Sequence, residues 1–377
     1  MITPKPSGAI LAALDARMIA HSGIGTHIRG LLEGIAALNR QRDVALLGPS
    51  SLLASVPQAQ GFRHIPWAAP IYSLSEQVSC PSGALRQFGV RIIHSPHYNV
   101  PLSARGLLRG VTIHDAIHLT HAPTLHPLKR AYARFMLGRA ARSCRLLCTV
   151  SRHTAQELER LFGVDAASIL VLPNAPAQAF RHPVPPAEVQ LAAAAHGLRV
   201  GQYLLTVGIN KPHKNYPFVV KALAQLFDEQ RLPYDLAMVG ISAEEAAPLL
   251  ALAGPHAHRI RILGKLPFEQ LPRIYSGARA LVFPSLAEGF GLPVVEAQGL
   301  GVPVLAARAS CVPEVAGDGA ILFDPTSAED FRRAIADLPA IDSPEWHELR
   351  RRGFENASQF DWTATARLLL EAWERLT

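Results

Sequence analysis

The chain has 377 residues, 49% of them apolar and 18% charged, with a formal net charge of +7. These proportions exclude a disordered chain, and no apolar run approaches the roughly 18 residues needed to span a bilayer. The length exceeds one ordinary core, so two domains are predicted.

The first half alternates short apolar runs with helical patterns. A-I-L-A-A-L meets Asp15 at once and reads as a strand, Ala9–Leu14, rather than a signal peptide. An amphipathic helix, Gly25–Leu38, follows a G-I-G turn. Further strands are predicted at Val44–Leu47, Arg91–His94, Val111–His114 and Leu146–Val150, with helix over 127–144. Five prolines in Pro173–Pro186 mark the passage to a second half of the same kind. There, strands at Tyr203–Val207, Asp235–Val239, Ile260–Leu263, Ala280–Phe283, Val304–Ala306 and Ala320–Phe323 alternate with helices such as Pro217–Glu229. A last helix spans Thr363–Leu376. Such alternation implies a parallel sheet in each half, the two facing a common cleft. The predicted division is 1–178, a linker 179–198, 199–359, and a terminal helix 360–377 crossing back to the first domain.

Charge is unevenly placed. Residues 1–180 hold 18 Lys and Arg against 8 Asp and Glu; residues 181–377 hold 19 against 22. No acidic residue falls between Asp115 and Glu157, where Lys129, Arg130, Arg134, Arg139, Arg142, Arg145 and Arg152 lie. A basic first half implies an anionic partner, such as a phosphorylated acceptor or an acidic lipid surface. On the 127–145 helix the arginines share one sector, with Leu128, Tyr132, Phe135 and Met136 mostly opposite. Two readings stay open: a solvated face over a buried one, or a face docking on anionic headgroups. Cys80, Cys144, Cys148 and Cys311 lack metal-ligand spacing and read as buried thiols in a reducing cytoplasm. His94 and His97 lack a matching carboxylate cluster, so no zinc site is predicted.

The chemistry concentrates in loops after strands, where open α/β sheets bind ligands. In E-G-F-G-L-P-V-V-E (Glu288–Glu296), Pro293 stands where a helix would start. The amides of Phe290, Gly291 and Leu292 are then free to face an anion. Glu296 is expected in the first turn and Glu288 on the preceding loop. Both carboxylates approach from one domain, unlike a glycosidase pair flanking a scissile bond. They suit the hydroxyls on either side of a phosphate: a ribose for Glu296, a sugar for Glu288. V-G-I-N-K-P-H-K-N (Val207–Asn215) brings Lys211, His213 and Lys214, and a positioned lysine serves a departing diphosphate without a metal. H-S-G-I-G-T (His21–Thr26) offers glycines at a helix N-terminus, which a plain tight turn explains equally well. In I-H-D (Ile113–Asp115), His114 could donate to a sugar hydroxyl or phosphate oxygen.

Together these stretches resemble glycosyltransferase family 4, the retaining nucleotide-sugar transferases of GT-B fold: two doubly wound Rossmann-like domains facing a central cleft. D-A-R (Asp15–Arg17), T-V-S-R-H-T (Thr149–Thr154), V-L-P-N (Val171–Asn174), L-G-K-L-P-F-E-Q-L-P-R-I-Y (Leu263–Tyr275), V-P-E-V-A-G-D-G-A-I-L-F-D-P (Val312–Pro325) and a terminal F-D-W extend the resemblance over nearly the whole chain. It implies catalytic roles for His114, Lys214 and Glu288. It implies donor binding by Gly23, Gly25, His213, Gly264, Lys265, Leu266, Gly289, Phe290, Gly291, Leu292 and Glu296. The implied reaction moves a hexosyl unit, with a lean toward mannosyl, from a GDP- or UDP-linked donor to a glycan or lipid-linked acceptor in cell-envelope polysaccharide synthesis. No cofactor and no metal are expected, and the enzyme is placed in the cytoplasm or peripherally on the inner membrane face. The chain departs from the pattern where His213 replaces a frequent arginine, Ile209 another, and Ala175 a frequent glycine. The rival readings are a nucleotide-sugar epimerase, a sugar phosphorylase and a non-catalytic membrane-associated binding protein. Nucleic acid is a weak rival, because the basic segment lacks interleaved aromatics.

Overall fold

A computed structural model describes residues 10–21, 23–121, 126–230 and 232–377; Ala9 of the first predicted strand and Ser22 of the H-S-G-I-G-T turn lie outside them. The chain forms two units. One holds residues 1–120, 124–174 and 361–377, the other 121–123 and 175–360.

The first unit is built on β1 (Ala12–Asp15), β2 (Val44–Gly48), β3 (Arg63–Pro66), β4 (Ile92–Ser95), β5 (Leu108–Ile113), β6 (Leu146–Thr149) and β7 (Leu170–Val171). They pair in parallel in the order β3-β2-β1-β4-β5-β6-β7. The second unit has β8 (Tyr203–Val207), β9 (Asp235–Val239), β10 (Ile260–Gly264), β11 (Ala280–Phe283), β12 (Val304–Ala307) and β13 (Ile321–Phe323). Its order is β10-β9-β8-β11-β12-β13, again all parallel. Runs such as A-A-L-D in β1 and A-L-V-F in β11 are buried at every position, because helices cover both faces of a parallel sheet. Apolar clusters line both faces of the second sheet, one around Leu223, Leu236 and Phe331, the other around Tyr275, Leu281 and Phe283.

Several elements differ from the sequence reading. β3 (R-H-I-P) is an edge strand with only Ile65 buried, so it lacks the apolar run that marks a strand. The expected linker 179–198 contains the helix Pro186–Ala195, which buries Val189 and Ala193. The proline cluster there starts a helix, Pro186 standing where no amide partner is needed. The terminal helix runs from Trp362 to Leu376, with the Asp361 side chain accepting from the Ala364 N–H at 2.9 Å. It belongs to the first unit, where Leu369, Leu370 and Trp373 are buried. Trp373 Nε1 donates to His94 Nδ1 at 3.4 Å, and Thr365 Oγ1 donates to the Pro173 carbonyl at 2.8 Å. Burying Trp373 there contributes on the order of 2–3 kcal/mol.

Candidate active site

In the second sheet β8 and β11 are neighbours although β9 and β10 intervene in sequence. The strand order reverses at this point, and open α/β sheets bind ligands in the crevice it leaves. The loop leaving β8 carries His213 and Lys214, and the loop leaving β11 carries Glu288 to Leu292. Lys214 Nζ donates to Glu288 Oε1 at 2.6 Å, with only 13% and 12% of the two side chains exposed. The Leu286 N–H donates to the His213 carbonyl at 2.7 Å and ties the loops together. The Phe283 ring lies 5.2 Å from Lys214 Nζ. Two residues predicted as catalytic thus form one ion pair. A diphosphate can compete for the lysine, and sugar hydroxyls for the carboxylate.

The loop after β12 fixes the backbone of Glu288. Ser310 Oγ accepts from the Glu288 N–H at 3.2 Å and donates to its carbonyl at 2.9 Å. Cys311 Sγ donates to the carbonyls of Glu288 and Phe290 at 3.2 and 3.3 Å. Sequence reasoning missed both residues, because only their position after a strand marks them. Gly289 and Phe290 are buried beside this anchor.

The following helix begins at Leu292, so Pro293 is its second residue rather than its first. Its N-cap is Gly291 at φ +94°, where a side chain would be strained, and no side chain caps the amides that follow. Pro293 has no N–H and the Val294 N–H donates to the Gly291 carbonyl at 3.0 Å, which leaves the Leu292 amide to face an anion. The earlier start also corrects the placement of Glu296, which lies in the second turn. Its half-buried carboxylate accepts from the Tyr275 hydroxyl at 2.9 Å. Burial pushes the Glu296 carboxyl up to about 7, and the Tyr275 bond opposes that rise only in part. Tyr275 is a partner that periodicity could show only as core. Burial also lowers the His213 imidazole, against the pull of Glu288, so at neutral pH His213 does not supply the charge of the arginine it replaces. At the end of β10 the Gly264 carbonyl accepts from the Gly240 N–H at 2.7 Å. Lys265 is exposed and Leu266 packs partly against the core.

His114, Gly23 and Gly25 belong to the first unit. His114 follows β5, and its Nε2 faces the Pro96 carbonyl at 3.0 Å. A carbonyl only accepts, so Nε2 carries the proton. Burial holds the ring well below its usual pKa, with His27 adding to the effect. The neutral ring therefore presents Nδ1 as an acceptor, not the donor that the sequence suggested. Gly23 caps the helix Ile24–Ala37 at φ +68°. A Cβ at Gly25 would lie 2.5 Å from the Ile19 carbonyl oxygen, so internal packing alone demands that glycine.

The first sheet has its own reversal between β1 and β4, where Asp15, Arg17, Glu76, His97 and Asn99 are all buried. Arg17 Nη2 donates to Asp15 Oδ2 at 2.6 Å and to Glu76 Oε1 at 2.7 Å. Burial disfavours the ionised Asp15, yet Arg17 and His97 hold its carboxyl down to about 2. Ligand atoms of Asp15, Glu76 and His97 lie within 4.8 Å of one another, the one such grouping among the described residues. The Arg17 guanidinium already holds the place of a cation between the two carboxylates.

Among the described residues no helix is long and apolar enough to cross a membrane. The "Glycosyltransferase Family 4" model matches residues 21–175, and the "Glycosyl transferases group 1" model matches residues 197–360. The O-antigen chain mannosyltransferase B of Escherichia coli is 29% identical over 374 residues, covering 94% of this chain and 96% of its own. The O-antigen chain mannosyltransferase RfbU of Salmonella typhimurium is 25% identical over 334 residues, covering 86% of each chain. A solved structure of WaaG, a glycosyltransferase involved in lipopolysaccharide biosynthesis, aligns with a TM-score of 0.73 at 15% identity over 96% of this chain and 99% of that one. Anabaena Alr3699/HepE, solved with UDP and glucose, aligns with a TM-score of 0.73 at 15% identity over 97% and 99%. With both models matched in sequence order and two doubly wound sheets in place, the chain belongs to the group 1 glycosyltransferases of the family 4 type and has the GT-B fold.

Proposed function

We propose that the protein transfers a mannosyl unit from a GDP-linked donor to a lipid-linked glycan, with retention of anomeric configuration and without a metal. The observation that carries this reading is the Lys214–Glu288 pair at the β8/β11 reversal, beside an uncapped helix start. The diphosphate lies on the Leu292 amide and against Lys214, which stabilises the charge that develops as the glycosidic bond breaks. A lysine there supplies the positive charge that a divalent ion would otherwise bring. Glu288 accepts from hydroxyls of the transferred sugar and Glu296 from the ribose. The departing phosphate takes the acceptor's proton on the same face as attack. The mannosyl and O-antigen names of the two full-length relatives support the choice of sugar and of a cell-envelope acceptor.

A peripheral place on an anionic membrane is part of the proposal. In the helix Pro127–Ser143, Leu128 is 75% exposed, Phe135 66% and Tyr132 41%, an i, i+4, i+7 stripe. Lys129, Arg130 and Arg134 are exposed beside it. The expected burial of the apolar side holds for Met136 alone among these four, and an exposed apolar stripe flanked by basic residues favours the docking alternative. The test is transfer from GDP-mannose, UDP-glucose and UDP-galactose to octyl glycosides in excess chelator, with the product's anomeric configuration read by NMR. An α-linked mannoside formed in chelator supports the proposal. An inverted product, or activity restored only by a divalent ion, overturns the corresponding part.

A further inference from the structure

At the reversal between β1 and β4 in the first unit, the loops bring aromatic side chains together beside the buried ions. The loop after β3 brings up Tyr72, and the loop after β4 brings up His97 and Tyr98. The Tyr72 ring centroid lies 6.0 Å from that of Tyr98 and 6.1 Å from that of His97. Tyr72 is 48% exposed and adopts φ +63°, a left-handed backbone that a bulky residue rarely takes. Something must hold it there, and the buried cluster beneath does. The Tyr72 N–H donates to Glu76 Oε2 at 2.8 Å, and the same carboxylate accepts from Asn99 Nδ2 and Arg17 Nη2. Arg17 is in turn fixed by Asp15 and stacks 3.4 Å above the Trp67 ring. A fully buried five-residue network thus orients the exposed Tyr72 beside Tyr98, which is partly buried against the core. The Tyr132 hydroxyl donates to Asn99 Oδ1 at 2.6 Å, which joins this floor to the basic helix Pro127–Ser143.

We infer that Tyr72 and Tyr98 form the platform for a pyranose ring of the acceptor. The inference rests on the glycosyl-transfer reading above and names the part of the first unit that recognises the acceptor. Tyrosine suits this partner: its ring face packs on sugar C–H groups and its hydroxyl reaches sugar oxygens. The ions below are saturated by one another, so they position the platform and do not bind the sugar. The sugar stands on the tyrosines, while a phosphate on its aglycone meets Lys129 and Arg134 of the neighbouring helix.

The experiment compares wild type, Tyr72→Gly and Tyr72→Phe in two reactions. One is hydrolysis of GDP-mannose with water as acceptor; the other is transfer to octyl mannoside, octyl galactoside and octyl N-acetylglucosaminide. Glycine adopts φ +63° without strain, so Tyr72→Gly should keep the wild-type Tm or exceed it. Its acceptor KM should rise at least tenfold, with donor KM and hydrolysis unchanged, and Tyr72→Phe should recover most of the loss. An unchanged acceptor KM in Tyr72→Gly overturns the assignment, as does a rise in donor KM, which would place the nucleotide here. Wild-type hydrolysis without transfer to any octyl glycoside overturns the pyranose platform and leaves the donor site standing. Absence of hydrolysis and transfer alike overturns the functional reading and this inference with it.

Discussion

Glu296 should make donor affinity depend on pH, in a direction opposite to its effect on stability. Two ribose hydroxyls can donate to a carboxylate, whereas the protonated acid must itself donate and loses that match. Burial places this carboxyl at about 7, so the free protein at neutral pH holds it about half protonated. Donor binding must then expel a proton below pH 7. GDP-mannose should bind about tenfold more weakly at pH 6 than above pH 8, following one proton per ligand. Glu296→Gln should flatten this profile and weaken binding at pH 8 by about 1.5–3 kcal/mol, the worth of hydrogen bonds to a charged acceptor. The stability sign is the reverse. The folded carboxyl is raised above its unfolded value of 4.5, so the folded state binds the extra proton. Taken by itself, Glu296 costs the free protein stability as pH rises from 4.5 to about 7, by about 3 kcal/mol. Above pH 7 the Gln variant should be the more stable apo protein and the weaker donor binder. Calorimetric titration of GDP-mannose from pH 5.5 to 8.5 measures the first effect, and thermal unfolding without ligand the second. A pH slope that persists in Glu296→Gln refutes the coupling.

Lys214→Ala should lower kcat by about 10²–10³-fold, typical of removing one charge-stabilising donor, while donor hydrolysis and transfer fall together. Wild-type turnover by this variant would remove lysine from the mechanism. Leu128→Asp combined with Phe135→Asp should cut co-sedimentation with phosphatidylglycerol vesicles by about tenfold or more, since each apolar side chain contributes about 1.5–3 kcal/mol when buried. Both side chains are exposed, so Tm should not change; equal binding by the double variant would sink the docking helix. Burial lowers the imidazole of His27 to about 4, with an Asn174 bond opposing, and that of His94 to about 3. Their folded values lie below the unfolded 6.5, so stability is complete above pH 6.5 and declines as pH falls toward 4. Because Glu296 acts in the opposite direction, the check is made in Glu296→Gln, where a Tm that is flat from pH 7 to 4.5 would contradict this.

What the sequence made legible was what lies close along the chain. Val207–Asn215 runs from a strand end through a loop to a helix N-cap, and Glu288–Glu296 from a loop into a helix, each within nine residues, so local rules suffice to place Lys214, Glu288 and Gly291. The alternation of apolar runs and helical patterns likewise sufficed for two parallel sheets. β3 escaped because its R-H-I-P carries an edge strand on one buried isoleucine. The proline cluster suggested a linker because prolines break helices more often than they begin them, yet Pro186 begins one. Helical periodicity ordered Leu128, Tyr132 and Phe135 on one side of their helix but could not say that this side faces out. The Tyr275 contact with Glu296, and that of Ser310 with Glu288, join loops from separate strands and leave no local trace.

The two strand-order reversals show why the same topology yields chemically different surfaces. In the second unit the Lys214–Glu288 pair retains 13% and 12% exposure, so a diphosphate and sugar hydroxyls can replace each partner of the other without stranding a buried charge. In the first unit Asp15, Arg17 and Glu76 keep no more than 5% of their surface, and each charge already meets its opposite. Opening that cluster to a ligand would leave a carboxylate or a guanidinium buried and unpaired, a cost of about 3–5 kcal/mol. Ions that cannot exchange partners act as scaffold, and their effect reaches the surface through the left-handed Tyr72. Under the proposed function, electrostatics would serve the donor's diphosphate in one unit, and aromatic contact the acceptor's sugar in the other.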